Sequence, residues 1–321
     1  MTATTLRVVH FPTESDAADL TLREFYEQQL LPDFSHQSKN SIKEDRIALN
    51  HWDRIVGSVP LAGIGREHVQ QLRDGLIRRG LSDATINKTW RELKAMLEAA
   101  RDDDLIAAVP TVGRRMRSRL IRKEVRARQR ELLTETDLDR LWKNCSKALY
   151  PSRNAPLLWR VVLVLMWTYG PRTLDCFNLE WDDVRWGDRL IQFRAMKTGK
   201  LQGLPMTDTV AVWLRKAKQG TSGRRVFPGF NSPGCRLTCG GVKRGYYLTW
   251  RQEISPGDRV LLKHFRQRVV TKYNAQSGAI SLGSWIAGHS IPGVSAINYE
   301  LPTAEIRSAI ESMPIPACFL R

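Results

Sequence analysis

Cysteine is scarce in this sequence, with five residues in 321. Such an odd and sparse set suits a reducing cytosol better than a disulfide framework. Long apolar runs are missing as well: the longest, Val161–Trp167, falls far short of the roughly 20 residues that a membrane-spanning helix requires. The opening stretch MTATTLRVVHFPTESDAADL has no basic region leading into an apolar segment and a small-residue cleavage site. No secretory signal is therefore read, and the cytoplasm is the expected location. Also absent are the GxxxxGK[ST] phosphate loop, a GxGxxG after a strand, HExxH and GxSxG, which removes ATP hydrolysis, hydride transfer and zinc proteolysis from consideration. Acidic residues are outnumbered, 33 against 50 Lys and Arg, giving a net charge of +17. That excess calls for a polyanionic partner, with a membrane surface as the competing reading.

With 42% apolar and 26% charged residues the chain is globular, and its length predicts two domains. The positive charge is localised. Residues 1–19 form an N-terminal tail, and residues 20–108 are near neutral. Between Arg114 and Arg130 stand Arg114, Arg115, Arg117, Arg119, Arg122, Lys123, Arg126, Arg128 and Arg130 against the single acid Glu124. This stretch opens at Pro110 and has no core pattern, so residues 109–130 are read as a basic linker. Residues 131–321, again rich in bases, form the second domain.

Apolar residues recur at helical spacing in the first domain: Ile64, Val69, Leu72 and Ile77, then Ile86, Trp90, Leu93, Met96 and Leu97. Gly80 fits the position after one helix and Ser82 the N-cap of the next, which predicts a small helical bundle. Lys88, Arg91 and Lys94 share a face of that second helix and could follow a phosphate backbone; a solvated helix face is the equal alternative. Further on, Thr134 with Asp137 three residues later marks a helix start. Helices are predicted over 157–169 and 174–181, on either side of a break at Gly170-Pro171. Short strands are predicted over 189–194 and 203–206, around the turn Met196-Lys197-Thr198-Gly199-Lys200. Helices resume after residue 259. Ile306, Ile310 and Met313 then mark a short amphipathic stretch within 302–321.

No metal or other cofactor is expected. Asp102, Asp103 and Asp104 are consecutive, so they point in different directions on a helix. Cys235 and Cys239 with His264 or His289 lack the two well-spaced pairs of a structural zinc site.

What remains is an ordered set: Gly170-Pro171-Arg172 with Asp175 three residues on, Lys197 in a turn, Lys263-His264-Phe265-Arg266, Gly288-His289-Ser290, and Tyr299 ten residues beyond His289. In order and spacing this set resembles the tyrosine recombinase, or phage integrase, family. The resemblance spans roughly residues 131–300, and the preceding helical segment also looks like that family's core-binding domain.

The resemblance implies a mainly α protein with a small β-sheet in its catalytic domain. A helical core-binding domain (20–108) and a catalytic domain (131–321) would close on double-stranded DNA as a C-clamp. It implies site-specific breakage and rejoining through a 3′-phosphotyrosine, without metal or ATP, by a homo-oligomer that is tetrameric at the synapse and acts at the nucleoid. By the same resemblance Tyr299 is the nucleophile and Arg172 and Arg266 clamp the phosphate. Lys197, with Lys200 as fallback, is the general acid; His289 and Lys263 are further donors, and Asp175 orients the cluster. The chemistry suits these residue types. Guanidiniums offer paired N–H donors to the charge that builds on phosphoryl oxygens, and a phenolate conserves the bond energy as an ester. Arg114, Arg115, Arg117 and Arg119 are expected to join Lys88, Arg91 and Lys94 on DNA. Two features depart from the family pattern: Lys263 stands where histidine is usual, and Gln267 follows Arg266 where another histidine is usual. A type IB topoisomerase, or a DNA-binding derivative that no longer cuts, is the rival expectation.

Overall fold

The structure is a computed structural model of the chain and describes residues 19–33, 39–110, 133–196, 199–230, 237–239, 242–257, 260–277, 282–288 and 303–320. The chain divides into two compact units, Met1–Arg130 and Glu131–Arg321. Among the described residues no helix is long and apolar enough to cross a membrane.

The first unit is helical. Helix α1 (Leu22–Phe25) opens at Thr21 with a capping box to Glu24 and runs on through a wider turn, Tyr26–Leu30, to Leu31–Asp33. Three longer helices follow: α2 (Lys39–Ile55), α3 (Arg66–Arg78) and α4 (Asp83–Asp102). The expected punctuation is present, because Gly80 takes a left-handed φ of 71° and the Ser82 side chain accepts the Thr85 N–H at the start of α4. One core unites these helices, with Leu22, Phe25, Leu49, Trp52, Leu72, Leu93 and Leu97 at its centre.

The second unit is built around one helix. Thr134 caps α5 (Glu135–Asn144) with Asp137 answering it, and α6 (Ala155–Tyr169) follows. Eleven α6 residues from Ala155 to Tyr169 are buried, so it is a central helix packed on all sides and not an amphipathic surface one. At about 1.5–3 kcal/mol per buried Val, Leu or Met side chain it is the largest single source of stability in this unit. Helix α7 (Thr173–Phe177) comes next, then a three-stranded antiparallel sheet of β1 (Val184–Arg185), β2 (Leu190–Arg194) and β3 (Leu201–Pro205). In the β2–β3 register Ile191 faces Leu204 and Phe193 faces Gln202. Helix α8 (Asp208–Gly220) packs on α6, and a second hairpin pairs β4 (Leu237–Cys239) with β5 (Val242–Arg244). A short helix α9 (Tyr246–Thr249) precedes α10 (Leu262–Ser277), which packs on α6 and on α11 (Leu282–Ile286). Helix α12 (Thr303–Glu311) lies against β3 and α10 of its own unit, burying Ile306 and Ile310. Beyond it, the Trp213 indole N–H donates to the Phe319 carbonyl at 2.9 Å.

Two expectations about secondary structure are corrected. The helix predicted over 174–181 stops at Phe177, because the next residues leave the helix to pair with another segment. Val226 N–H donates to the Leu179 carbonyl at 3.0 Å, Trp181 N–H to the Arg224 carbonyl at 2.9 Å, and Arg224 meets Glu180 at 2.8 Å. The strand predicted over 203–206 is Leu201–Pro205. Strands β1, β4 and β5 leave no signal in the sequence: at two or three residues each they are too short to display an alternation.

Candidate active site

Gly170 is where the site begins. It ends α6 in the left-handed region at φ 58°, and a Cβ there would lie 3.0 Å from both the Arg266 Cα and the Val269 Cβ. Glycine is therefore required twice, by conformation and by the close approach of α10. Pro171 prevents the helix from continuing, and Arg172 follows in extended conformation (ψ 145°) as N-cap of α7.

Arg266, on α10, donates from Nη1 to the Gly170 carbonyl at 3.1 Å. The same helix α10 is fastened to the end of α6 by two further contacts. The buried Arg268 guanidinium stacks 3.3 Å from the Trp167 ring centroid, and the Tyr273 hydroxyl donates to the Thr168 carbonyl at 3.0 Å. Both clamp arginines thus project from elements tied to one helix terminus.

Asp175 links them to the sheet. Only 7% of its side chain is exposed, and its Oδ2 lies 3.5 Å from Arg172 Nη1. Its Oδ1 accepts the Met196 N–H at 3.0 Å, so the carboxylate also holds the start of the β2–β3 turn. Within that turn Gly199 N–H donates to the Ala195 carbonyl at 2.7 Å, and Ala195 N–H to that of Lys200 at 2.9 Å.

The electrostatics favour an anion. Burial first, and then the charge of neighbouring Arg172, push the Arg266 guanidinium down to about 10, while Asp175 acts the other way. Arg266 is still a cation at neutral pH. Two guanidiniums that share one buried carboxylate carry a net positive charge, and a phosphate between them would remove their repulsion. Exposed Lys263, three residues before Arg266, adds charge on the same helix face. His264 has a different use: its Nδ1 accepts the Leu261 N–H at 3.2 Å at the start of α10, and burial and Lys263 lower its pKa. Gln267 is exposed.

The structure thus brings together Arg172, Asp175 and Arg266 with the start of the Lys197 turn, and Lys263 stands one helical turn before Arg266 on α10. Lys197, His289 and Tyr299 lie outside the described residues, as do Arg114, Arg115, Arg117 and Arg119. Gly288, which immediately precedes His289, falls at the cluster, since a Cβ placed there would be 3.9 Å from Arg172 Nη1 and 2.6 Å from Gln202 Oε1. Gln202 is the site residue that the sequence did not reveal. Of the other expected DNA contacts, all three on α4 are ion-paired, Arg91 and Lys94 exposed and Lys88 partly so: Lys88 with Glu44 at 2.5 Å, Arg91 with Glu92 at 2.7 Å and Lys94 with Glu98 at 2.5 Å. Exposed pairs of this kind contribute about 0–1 kcal/mol and exchange readily for another anion.

A mainly helical unit with a small antiparallel sheet, holding two arginines around a buried carboxylate, has the fold of a tyrosine recombinase catalytic domain. Residues 131–274 match the model of the phage integrase family. No curated protein matches the sequence. Among solved structures, a lambda integrase dimer bound to a COC′ core site is similar with a TM-score of 0.61 at 16% identity, over 88% of this chain and 100% of that one. A lambda integrase tetramer bound to a Holliday junction gives 0.56 at 14%, over 95% and 83%. The Tn1549 transposon integrase in complex with circular intermediate DNA gives 0.54 at 18%, over 85% and 93%.

Proposed function

We propose that the chain is a site-specific DNA recombinase that cuts and rejoins duplex DNA through a 3′-phosphotyrosine at Tyr299. The pairing of Arg172 and Arg266 across Gly170 and Asp175 carries this reading, because it forms an anion clamp anchored to the core of the unit. The clamp binds the two non-bridging oxygens of the scissile phosphate and stabilises the charge that develops on them. Tyr299 attacks phosphorus, the 5′ oxygen departs with a proton from Lys197, and the ester so formed is later attacked by a free 5′ hydroxyl. His289 and Lys263 supply further donors. The similar integrases are seen as dimers and a tetramer on DNA, which supports oligomeric action on duplex DNA.

Neutralisation by arginine makes the cleavage step independent of a divalent ion. With a nicked trapping substrate, the wild-type protein is expected to form its denaturant-resistant adduct in excess EDTA as it does in Mg²⁺. Strict dependence on added Mg²⁺ would overturn the clamp assignment. Sequence-independent relaxation of supercoiled DNA would instead indicate a topoisomerase.

DNA affinity provides a separate check. Replacing Arg114, Arg115, Arg117 and Arg119 with alanine is expected to lower the magnitude of the log K against log salt slope by about 0.9 for each phosphate that is no longer neutralised. An unchanged slope in a fluorescence-anisotropy titration would remove these arginines from the interface.

A further inference from the structure

Along the inward face of the β2–β3 hairpin lie Ile191, Phe193, Leu204 and Gln202. Three are buried hydrophobic residues, and the fourth is an amide opposite Phe193. A polar side chain on such a face has to find partners or be disfavoured there. Gln202 finds them on another element, its Nε2 donating to the Trp285 carbonyl and, at 3.3 Å, to that of Ile286. These are carbonyls at the C-terminal end of α11, where a helix leaves acceptors without intrahelical partners. Its Oε1 lies beside Gly288, at the spot where any larger residue would place its Cβ.

The contact spans two parts of the site. Gln202 stands in β3 just beyond the turn that carries Lys197, and α11 runs into Gly288 and His289. Helix α11 is already held by other contacts: Leu282 and Ile286 are buried, and Gly283 N–H donates to the Asn274 side chain of α10 at 2.8 Å. At the turn end of the hairpin Met196, Gly199, Lys200 and Leu201 are all exposed, so no core packing fixes these four residues. There the Gln202 amide and the Asp175 carboxylate on Met196 N–H tie the hairpin to neighbouring elements.

We infer that Gln202 is a positioning residue, which fastens the hairpin to the end of α11 and so sets the approach of Lys197 to the leaving oxygen. The inference rests on the proposed function for the role of Lys197, but the contact itself does not depend on it. Gln202→Met keeps the length of the side chain and removes the donor. In single-turnover reactions of the full chain, Gln202→Met is expected to cleave ordinary DNA about 10- to 100-fold more slowly, as a misplaced catalytic group does, with unchanged DNA affinity. On a substrate whose bridging 5′ oxygen is replaced by sulfur, which leaves without a proton, the rate should return close to wild type. Hydrogen exchange of the DNA-free protein should speed up at the Met196 and Gly199 amides. A wild-type rate on ordinary DNA, an equal loss on both substrates, or unchanged exchange at the two amides would each overturn the inference. If the wild-type protein itself forms no adduct, the proposed function fails, and the exchange measurement still decides whether Gln202 holds the hairpin.

Discussion

Tyr299→Phe is expected to bind its DNA site with wild-type affinity and to form no denaturant-resistant protein–DNA adduct at all. The substitution removes only the oxygen that would attack phosphorus, so the phosphate and groove contacts that set affinity persist while the covalent step is abolished. Tyr273 is the control. Its ring is 1% exposed, its hydroxyl donates to the Thr168 carbonyl, and burial raises its pKa further above the ordinary tyrosine value. A phenol so placed can neither reach a phosphate nor ionise readily. Tyr273→Phe should therefore form the adduct at the wild-type level and lose about 1 kcal/mol of stability with its hydrogen bond. An adduct that survives in Tyr299→Phe and disappears in Tyr273→Phe would reverse the assignment.

Lys197→Ala is the second large effect. Loss of a general acid typically slows a step by 10²- to 10⁴-fold, and that is the expected drop in single-turnover cleavage of ordinary DNA, with binding unchanged. Sulfur at the bridging 5′ position gives a leaving group that needs no proton, so the variant should recover on that substrate. Arg172→Ala should lose cleavage on both substrates, because in the proposed clamp its guanidinium acts on the non-bridging oxygens whatever atom departs. Recovery of Lys200→Ala or Lys263→Ala by sulfur, with none for Lys197→Ala, would move the acid to the rescued position.

The half of the site legible in the sequence is the half written in short stretches of chain. Gly170-Pro171 announces a helix end by backbone chemistry alone, and Arg172 and Asp175 follow within one turn. Arg266 and Gly288 are legible through ordered spacing. Gln202 is not, because its role comes from an amide meeting carbonyls 83 and 84 residues away in sequence. Nothing near it in the chain marks that meeting. The same reason explains the helix overrun at 178–181: Leu179 and Trp181 fit a helical period, yet the pairing that draws them out comes from Arg224 and Val226. The buried stack of Arg268 on Trp167 is hidden likewise, since a lone arginine in a basic sequence reads as a surface charge.

The Gly170 carbonyl that holds Arg266 belongs to the residue that ends the most buried helix in the second unit. The end of α6 and the seat of Arg266 therefore cannot be changed separately in this chain. Any lineage that rebuilds the end of α6 has to find a new seat for its arginine at the same time. Repacking the end of α6 would therefore disturb the seat of Arg266 and the core of the unit together.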